Sequence, residues 1–457
     1  GVAVLGRAVH AAFPVGGAGA AAHARVIATP GPFLAAAEAA RRLETGFWLS
    51  SPGAARGASR ELVGGPPVGV IEGRSPSDLA SLEEAWREAR ARWADKGAVP
   101  AGLPVAVGWL SYELGRRLVG LPADPRTAGA PLFSFQFPDA VWVRGDSGDA
   151  TLLARDPRAA GRLRDRLLQP RGRALAPALG PLSPVDPPAA FVAGVRQILA
   201  YEAAGDAYQV NLSRRLTAAW SGEPAHIAAL LRAAAPAPYA TFIADGSGGA
   251  LFGNSPERFL ALDADGLVET RPIKGTRPRG ASPAEDHAAI AALRASPKDR
   301  AEHVMIVDLE RNDLGRICRP GTVEVATLAR VISLPTVHHL ESTVRGVLRP
   351  GVGLAALVGA TFPGGSITGA PKRRAMQIID ELESGPRGVY TGATGWLGAA
   401  GDLDLAVAIR TAILREGRLE LSVGGGIVIE STPEGELAET EVKARAFASL
   451  AGAAAPA

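Results

Sequence analysis

The order of apolar and polar residues predicts helices and strands in mixed succession. A helical pattern over Ser77–Lys96 begins with Ser-Pro-Ser-Asp, has acidic residues in its first turns, and stops just before Gly97, as helices commonly do. Short apolar runs at Pro104–Leu110 and Ala140–Val143 indicate strands. The Pro-rich passage Pro170–Pro188 is typical of a linker.

The alternation continues to the end of the chain. Further helices are predicted over Ala190–Ala204, Pro283–Ala295, Lys298–Asn312, from the Gly/Pro loop Phe362–Lys372 to Glu383, and over about Glu436–Ala451. Strands are predicted at Ala207–Thr217, with Tyr208, Val210 and Leu212 on one face, and at Ala240–Ile243, Ala250–Gly253, Leu267–Thr270, Val337–Leu348, Leu403–Leu414 and Leu419–Ile429. The last two would pair across a turn at Glu416-Gly417. This succession predicts an α+β fold, with an N-terminal portion over residues 1–180 and a second portion over residues 189–455.

Composition narrows the class of protein. Apolar residues make up 47% of the 457 positions and charged residues 21%, which is ordinary for a globular protein. The net charge is only +3, and the scattered Lys and Arg residues argue against a nucleic-acid-binding face. We expect no membrane span, because no apolar stretch reaches about eighteen residues. The lack of a signal-peptide pattern and the single cysteine, Cys318, favour the cytoplasm.

Two carboxylate pairs have the spacing of a shared helical face. Asp299 and Glu302 are three residues apart on one predicted helix, and Glu436 and Glu439 are three apart on another. Four converging carboxylates suit a hard cation, and magnesium (Mg2+) is the natural choice beside an anionic substrate. Acidic residues near helix N-termini more commonly serve capping and the helix dipole. The spacing alone leaves both interpretations open.

The segment ETRPIKGTRPRG, residues 269–280, places Lys274 among three arginines. A lysine attacks carbon only as the free amine, and neighbouring cations and burial lower its pKa toward that state. The arginines, with backbone N–H groups near Gly275, could bind substrate carboxylates. On composition alone, a basic surface loop is the alternative.

Other positions also allow two interpretations. Glu257 follows the end of a strand and could protonate a leaving hydroxyl if its pKa is raised, or could be a capping or surface residue. His339 could contact a substrate or be a core histidine. Three glycines at 424–426 in a strand indicate close approach of a ligand or a second backbone. Arg410, near the end of the preceding strand, could pair with a carboxylate.

These features resemble the chorismate-utilising family, which includes anthranilate, aminodeoxychorismate, isochorismate and salicylate synthases. The segments that carry the resemblance are SPERFL (255–260), PIKGTRPRG (272–280), AEHVMIVDLERNDLGR (301–316), FPGGSITGAPK (362–372), VYTGATGW (389–396), GGGIV (424–428) and AETEVKA (438–444). Nearer the N-terminus, FWLSSP (47–52) and SRELVG (59–64) loosely resemble the anthranilate and aminodeoxychorismate enzymes. The resemblance implies an anthranilate-synthase-like chorismate-binding fold, with two packed β-sheets flanked by helices.

The resemblance also implies roles for individual residues. Glu302 and Glu439 would bind Mg2+ directly, and Asp299 and Glu436 would support it through waters, although the family more often has Glu at the position of Asp299. Glu257 would be the general acid for the C4 hydroxyl of chorismate, with His339 against the ring. The residues that would contact chorismate are Gly275, Thr276, Ser366, Tyr390, Arg410, Gly424, Gly425, Gly426 and Lys443.

Two positions distinguish members of the family. Gln209 stands where isochorismate and salicylate synthases have a water-activating lysine, and its amide cannot act as that base. Lys274 stands where anthranilate synthases resemble PIAGT, whereas PIKGT resembles the aminodeoxychorismate synthases. In those enzymes the lysine attacks C2 of chorismate and ammonia then enters at C4. The resemblance implies aminodeoxychorismate synthase component I, in para-aminobenzoate and folate biosynthesis, with anthranilate synthase component I as the alternative.

Partners follow from the same resemblance. Cys318 lacks the small-residue context of an amidotransferase nucleophile, so a separate glutamine amidotransferase subunit is expected to deliver ammonia in a heterodimer. The family also has a tryptophan pocket, which here would involve Ser51, Pro238 and Tyr239. A catalytically idle binding protein is the remaining alternative, and retention of the charged site residues argues against it.

Overall fold

The computed structural model describes residues 27–28, 40, 45–51, 60–94, 100–145, 150–169 and 177–453. Its α-helices are α1 (Leu79–Ala94), α2 (Tyr112–Leu118), α3 (Pro157–Leu168), α4 (Pro188–Ala203), α5 (Pro224–Ala234), α6 (Pro283–Ala295), α7 (Pro297–Gly315), α8 (Leu354–Thr361), α9 (Lys372–Leu382), α10 (Pro433–Ala448) and α11 (Leu450–Ala453). Short 3₁₀ turns lie at Pro76–Asp78, Pro125–Thr127 and Gly365–Ile367.

The strands fall into two groups. Those of the first sheet are β1 (Ile27–Ala28), β2 (Phe47–Ser51), β3 (Arg60–Gly64), β7 (Ala140–Arg144), β8 (Ala150–Ala154), β9 (Ala178–Leu179), β10 (Ser183–Pro184), β11 (Gln209–Ser221), β12 (Tyr239–Ala244), β13 (Ala250–Ser255), β19 (Gly369–Ala370), β22 (Thr411–Arg415) and β23 (Arg418–Ile427). Those of the second are β4 (Gly69–Gly73), β5 (Pro104–Leu110), β6 (Phe133–Phe137), β14 (Arg258–Leu262), β15 (Leu267–Arg271), β16 (Ile273–Pro278), β17 (Glu324–Ser333), β18 (Val337–Val347), β20 (Ala393–Gly398) and β21 (Leu403–Val407).

Antiparallel pairing joins these strands into sheets of thirteen and ten strands. The first has the order β1-β8-β7-β3-β2-β12-β13-β22-β23-β11-β10, with β9 and β19 also pairing with β11. The second has the order β16-β18-β15-β14-β21-β20-β5-β6-β4, with β17 on β18. One apolar core includes Phe47 and Leu62 of the first sheet and Phe133 and Leu260 of the second, so the two sheets pack against each other. The predicted α+β fold with two packed sheets and flanking helices is confirmed.

Strands from both portions of the chain share both sheets. In the first sheet, Trp48 of β2 pairs with Phe242 of β12. In the second, Val107 of β5 pairs with Trp396 of β20. The hydrogen-bonded framework therefore runs across the sequence boundary near residues 181–188, and separate roles for the two portions stay a prediction.

Two local predictions are wrong. The passage Pro170–Pro188 is not only a linker, because β9 and β10 lie within it and both pair with β11. Strands of two residues are too short to leave a periodic pattern among prolines.

Tyr208 does not share a face with Val210, since β11 begins one residue later and the Tyr208 side chain is 72% exposed whereas Val210 is fully buried.

The predicted strand Leu403–Leu414 is in fact two strands in different sheets. β21 belongs to the second sheet and β22 to the first, and the chain crosses between them through Arg410, whose φ is 51°. Both strands are buried, so the apolar pattern gives no sign of the crossing. The following hairpin is confirmed, with positive φ at Glu416 and Gly417, as a type I′ turn requires.

A buried ion pair within the second sheet contacts side chains of the first sheet. Arg258 in β14 donates to Asp404 in β21 through Nε at 3.1 Å, and to Glu269 in β15 through Nη1 at 2.7 Å. From the first sheet, the Ser51 hydroxyl donates to Asp404 at 2.6 Å, and the Tyr239 ring lies 5.8 Å from the Arg258 guanidinium. The structure thus brings together two residues of the predicted tryptophan pocket. Tryptophan binding itself stays a prediction.

Breaking this pair should destabilise the fold. Asp404→Ala leaves the Arg258 charge buried with one partner fewer, and we expect a loss of about 3–5 kcal/mol in the free energy of unfolding. Urea denaturation followed by circular dichroism measures it. Asp308→Ala is the matched control, because Asp308 pairs with Arg311 at an exposed site and should change stability by less than about 0.5 kcal/mol. Equal effects in the two variants would contradict the prediction.

Among the described residues, no helix combines the length and apolar character needed to cross a membrane.

Candidate active site

Lys274 lies in a strand that is bulged next to it. β16 pairs with β18, and the register shifts between Lys274 and Thr276, with Gly275 at φ 68°. Such a bulge redirects the neighbouring side chains. Lys274 Nζ donates to the carbonyl of Ser366 at 3.3 Å. The alternative of a basic surface loop is therefore wrong at this position.

The electrostatic surroundings of Lys274 favour its neutral form. Burial lowers the pKa of its ammonium, and the positive charge of Lys443 acts in the same direction. The carboxylates of Glu302, Glu257 and Glu439 oppose the shift without reversing it. A free amine is what nucleophilic attack on carbon requires, so the site can supply a lysine nucleophile.

Glu257 lies where the chain crosses from the first sheet to the second, between β13 and β14. Its side chain is 5% exposed. Burial raises the pKa of its carboxyl, and the nearby Ser366 hydroxyl and the charges of Lys274 and Arg410 lower it less. A carboxyl group whose pKa is raised in this way is suited to act as a general acid.

The crossing at Glu257 runs beside the return crossing at Arg410. The Asn254 N–H donates to the Arg410 carbonyl at 3.0 Å, and the Val407 N–H donates to the Glu257 carbonyl at 3.0 Å. Backbone hydrogen bonds thus hold the acid and the guanidinium-bearing segment together. Residues that are 153 positions apart in the chain meet in one site because both lie at the transition between sheets.

The three glycines of β23, Gly424, Gly425 and Gly426, leave room beside the strand because they carry no side chains. Neighbouring backbone and functional side chains lie close to them. A Cβ atom at Gly424 would lie 2.2 Å from the Leu212 carbonyl oxygen of β11, which confirms the predicted close approach of a second backbone. At Gly425 it would lie 3.1 Å from Glu436 Oε2, and at Gly426 it would lie 2.7 Å from Gln209 Nε2 and 3.2 Å from Lys274 Nζ. A larger residue at position 426 would therefore occupy the space beside Lys274.

The four predicted metal ligands lie on two helices that face this surface, Asp299 and Glu302 on α7, Glu436 and Glu439 on α10. Burial raises the pKa values of Glu302 and Glu436. Like charges add to the rise, from Asp299 and Glu436 at Glu302 and from Glu439 at Glu436. An oxygen-only donor set with mutual repulsion is chemically suited to a hard divalent cation.

Each of these carboxylates has a partner within the protein. Their contacts are Asp299 with Arg277 at 2.8 Å, Glu302 with Lys298 at 3.9 Å, Glu436 with the Ser431 hydroxyl at 2.6 Å, and Glu439 with Lys443 at 2.7 Å. Across the described ranges, no three or more His, Cys, Asp or Glu side chains are grouped closely enough to hold a metal ion. The oxygen-only donor chemistry fits Mg2+. The four carboxylates are not grouped as a metal site in the described part of the chain, so binding would require them to leave their present partners.

His339 lies against the same bulge, beside Gly275 and Thr276. His339 Nδ1 is 3.1 Å from the Gly275 carbonyl and 3.0 Å from the Thr276 hydroxyl. Burial lowers the pKa of His339 to about 4, so the ring is neutral at neutral pH. Lys443 Nζ donates to the Gly424 carbonyl at 2.7 Å. The Tyr390 ring lies 6.0 Å from the Arg387 guanidinium, and its contact with a substrate stays a prediction.

The structure adds two buried acids that were missed in the sequence. Both carboxylate oxygens of Glu202 in α4 are buried, and burial with nearby Glu430 raises its pKa to about 8. Glu310 in α7 is 7% exposed, and burial raises its pKa to about 8. A signal for Glu310 exists, because it continues the three- and four-residue spacing of the buried residues His303, Ile306 and Val307.

Comparison with known proteins is consistent with this geometry. The family model described as chorismate binding enzyme matches residues 46–449. The chain belongs to the family of chorismate-binding enzymes. The chain is 40% identical over 434 residues to anthranilate synthase component 1 of Streptomyces coelicolor. The match covers 88% of the chain and 83% of that protein.

Other relatives have a different named activity. The chain is 49% identical over 245 residues to aminodeoxychorismate synthase component 1 of Klebsiella aerogenes, and the match covers 54% of each protein. The chain thus spans about half the length of that relative. Among solved structures, it resembles anthranilate synthase component I from Streptococcus pneumoniae TIGR4, with a TM-score of 0.74 and 30% identity over 85% of this chain and 92% of that one.

Proposed function

We propose that this chorismate-binding enzyme is an aminodeoxychorismate synthase component I, which converts chorismate and ammonia to 4-amino-4-deoxychorismate. The observation that carries the proposal is a pair of groups at one site whose pKa shifts both favour the neutral form. Burial lowers the pKa of Lys274 and raises the pKa of Glu257, and each charge affects the other group. A neutral amine next to a protonated acid is what the substitution of a hydroxyl group by a lysine needs.

The reaction has two displacements. The Lys274 amine forms a bond to C2, the ring double bond shifts, and the C4–O bond breaks as Glu257 donates its proton, so that water leaves. Ammonia then forms a bond to C4, the double bond shifts back, and the C2–N bond breaks with its electrons returning to Lys274. The product carries an ammonium group at C4 and retains the pyruvyl ether.

Other residues would bind and orient the substrate. Glu302 and Glu439 would hold Mg2+ directly, with Asp299 and Glu436 acting through waters, and the bound ion would supply positive charge for a substrate carboxylate. The neutral ring of His339 would lie against the substrate ring. The chorismate contacts would be Gly275, Thr276, Ser366, Tyr390, Arg410, Gly424, Gly425, Gly426 and Lys443.

Ammonia would come from a glutamine amidotransferase subunit. Both relatives described above are named as component 1 of their enzymes, which supports a partner of this kind. The activity would belong to para-aminobenzoate and folate biosynthesis in the cytoplasm. Tryptophan would bind near Ser51, Pro238 and Tyr239.

Anthranilate synthase component I is the second candidate. It is favoured by the longer match, since the Streptomyces coelicolor relative covers 88% of the chain and the Klebsiella aerogenes relative 54%. Lys274 favours the first candidate, because anthranilate synthases resemble PIAGT at this position and have no amine there.

Product analysis distinguishes the two candidates. With chorismate, Mg2+ and ammonium, the purified chain should form 4-amino-4-deoxychorismate without releasing pyruvate, as measured by liquid chromatography and a pyruvate assay. Removing Mg2+ with EDTA should lower the rate at least about 10-fold, because the substrate carboxylate and the four acids would then repel each other. Fluorescent anthranilate and pyruvate without a 4-amino product would show that the second candidate is right.

A further inference from the structure

Arg387 is a buried arginine beside the candidate site that takes no part in either displacement. Its side chain is 2% exposed. Glu383 accepts two hydrogen bonds from it, from Nε at 2.9 Å and from Nη2 at 2.7 Å. A bidentate pair of this kind fixes the plane of the guanidinium group. The directions of the remaining N–H donors are therefore fixed as well.

These remaining donors bind three separate segments of the chain. Nη2 donates to the Asn211 carbonyl of β11 at 2.6 Å. Nη1 donates to the Ile367 carbonyl at 3.0 Å and to the Thr391 hydroxyl at 3.2 Å. Together with the two bonds to Glu383, these contacts use all five N–H groups of an arginine. One rigid group thus holds three segments at fixed positions relative to one another.

The contact with Ile367 bears on Lys274. Ile367 and Ser366 are consecutive residues of one 3₁₀ turn. The Ser366 carbonyl accepts a hydrogen bond from Lys274 Nζ, and the next carbonyl of the turn accepts one from Arg387. A neutral amine that donates one N–H to a fixed carbonyl has its lone pair directed away from that carbonyl. The position of the turn therefore limits the directions in which Lys274 can attack.

The contact with Thr391 bears on Tyr390. Thr391 is fully buried and has a φ of 57°, a conformation that β-branched residues rarely adopt. Such a conformation persists only where the surrounding contacts hold it. The Thr391 hydroxyl accepts from Arg387 and donates to the Tyr390 carbonyl at 2.6 Å. Loss of the guanidinium would release the loop that carries Tyr390, one of the predicted chorismate contacts.

We propose that Arg387 is a positioning residue, which holds the turn that orients Lys274 and the loop that carries Tyr390 in the geometry of the first displacement. The inference rests on the proposed function. Reacting atoms have to be about 3–3.5 Å apart and aligned, so a shift of the turn should slow bond formation at C2. Chorismate binding should change less, because most of the predicted contacts lie on other segments.

Arg387→Lys is the test variant, since it keeps a positive charge beside Glu383 but has no planar fork to bind the three segments. With chorismate, Mg2+ and ammonium, kcat should fall at least about 30-fold while KM changes less than about fivefold. After rapid acid quench, the rate at which the Lys274 adduct appears should fall by the same factor as kcat. A residue that only stabilises the fold would change the melting temperature without this split.

Arg116→Lys is the matched control. The Arg116 side chain is 7% exposed and pairs with Asp380 at 2.5 Å and with Asp124 at 3.5 Å. This variant should be destabilised as well, yet keep kcat and KM within about twofold, because neither partner belongs to the site. Thr391→Val removes one of the three acceptors and keeps the shape of the side chain. It should lower kcat by about 10-fold with the same small change in KM, and it gives the test if Arg387→Lys does not fold.

Three results would overturn the inference. The first is an unchanged kcat in folded Arg387→Lys, or in Thr391→Val where the former does not fold. The second is a rise in KM as large as the fall in kcat, and the third is an unchanged rate of adduct formation. If wild type makes no 4-amino product, the proposed function fails instead.

Discussion

Replacing Lys274 by alanine is expected to lower the rate of 4-amino-4-deoxychorismate formation by about 10³-fold or more, as is usual when a covalent nucleophile is removed. The alanine side chain has no amine to attack C2, and direct entry of ammonia at C4 would lack the covalent intermediate. Steady-state assays with ammonium measure the loss. In wild type, intact-protein mass spectrometry after rapid acid quench should show an adduct on Lys274.

Two further lysine variants complete this test. Lys274→Arg keeps a positive charge but provides no neutral amine, so it should be as inactive as alanine. Lys298→Ala is the matched control, since Lys298 also lies near Glu302 but its side chain is 41% exposed, and it should retain most of the activity. An active Lys274→Ala variant, or a wild type without an adduct, would remove the covalent step from the mechanism.

Replacing Glu257 by glutamine should lower kcat by about 10²–10⁴-fold, the usual contribution of a general acid. The amide keeps the size of the side chain but has no acidic proton for the leaving hydroxyl. The wild-type rate should rise with pH as Lys274, with its lowered pKa, loses its proton. It should fall at higher pH as Glu257, with its raised pKa, loses its own.

The variant should therefore lose the alkaline fall of the pH–rate profile and keep the acidic rise. Glu113→Gln is the control, because Glu113 is also a buried glutamate with a raised pKa, but it accepts hydrogen bonds from the backbone of Arg387 and Gly388. That variant should leave both limbs of the profile in place. An unchanged alkaline limb in Glu257→Gln would assign the limb to another group.

Much of the fold could be predicted because its patterns are local. The helix Pro283–Ala295 and the strand Pro104–Leu110 have the predicted bounds, since capping residues and apolar runs mark them directly. The crossing at Arg410 could not be predicted, because β21 and β22 are both mostly apolar and only tertiary pairing assigns them to different sheets.

The candidate site could be predicted from local patterns less completely than the fold. Spacing alone placed Asp299 with Glu302 but could not bring that pair near Glu436 on another helix, and only the resemblance did so. The burial that shifts the pKa of Lys274 depends on residues far away in the chain, so composition favoured a surface loop. Glu310 was overlooked because an acid within a helical motif is usually exposed.

Because both sheets contain strands from residues 1–180 and from residues 189–455, neither portion has a complete sheet of its own. Without residues 1–180, the all-buried strand β12 would lose its partner β2 and become an open apolar edge, a form that promotes aggregation. The segment richest in family motifs is therefore not a transplantable module. Gene fusion, domain exchange or the design of a minimal catalyst has to carry the N-terminal strands with it.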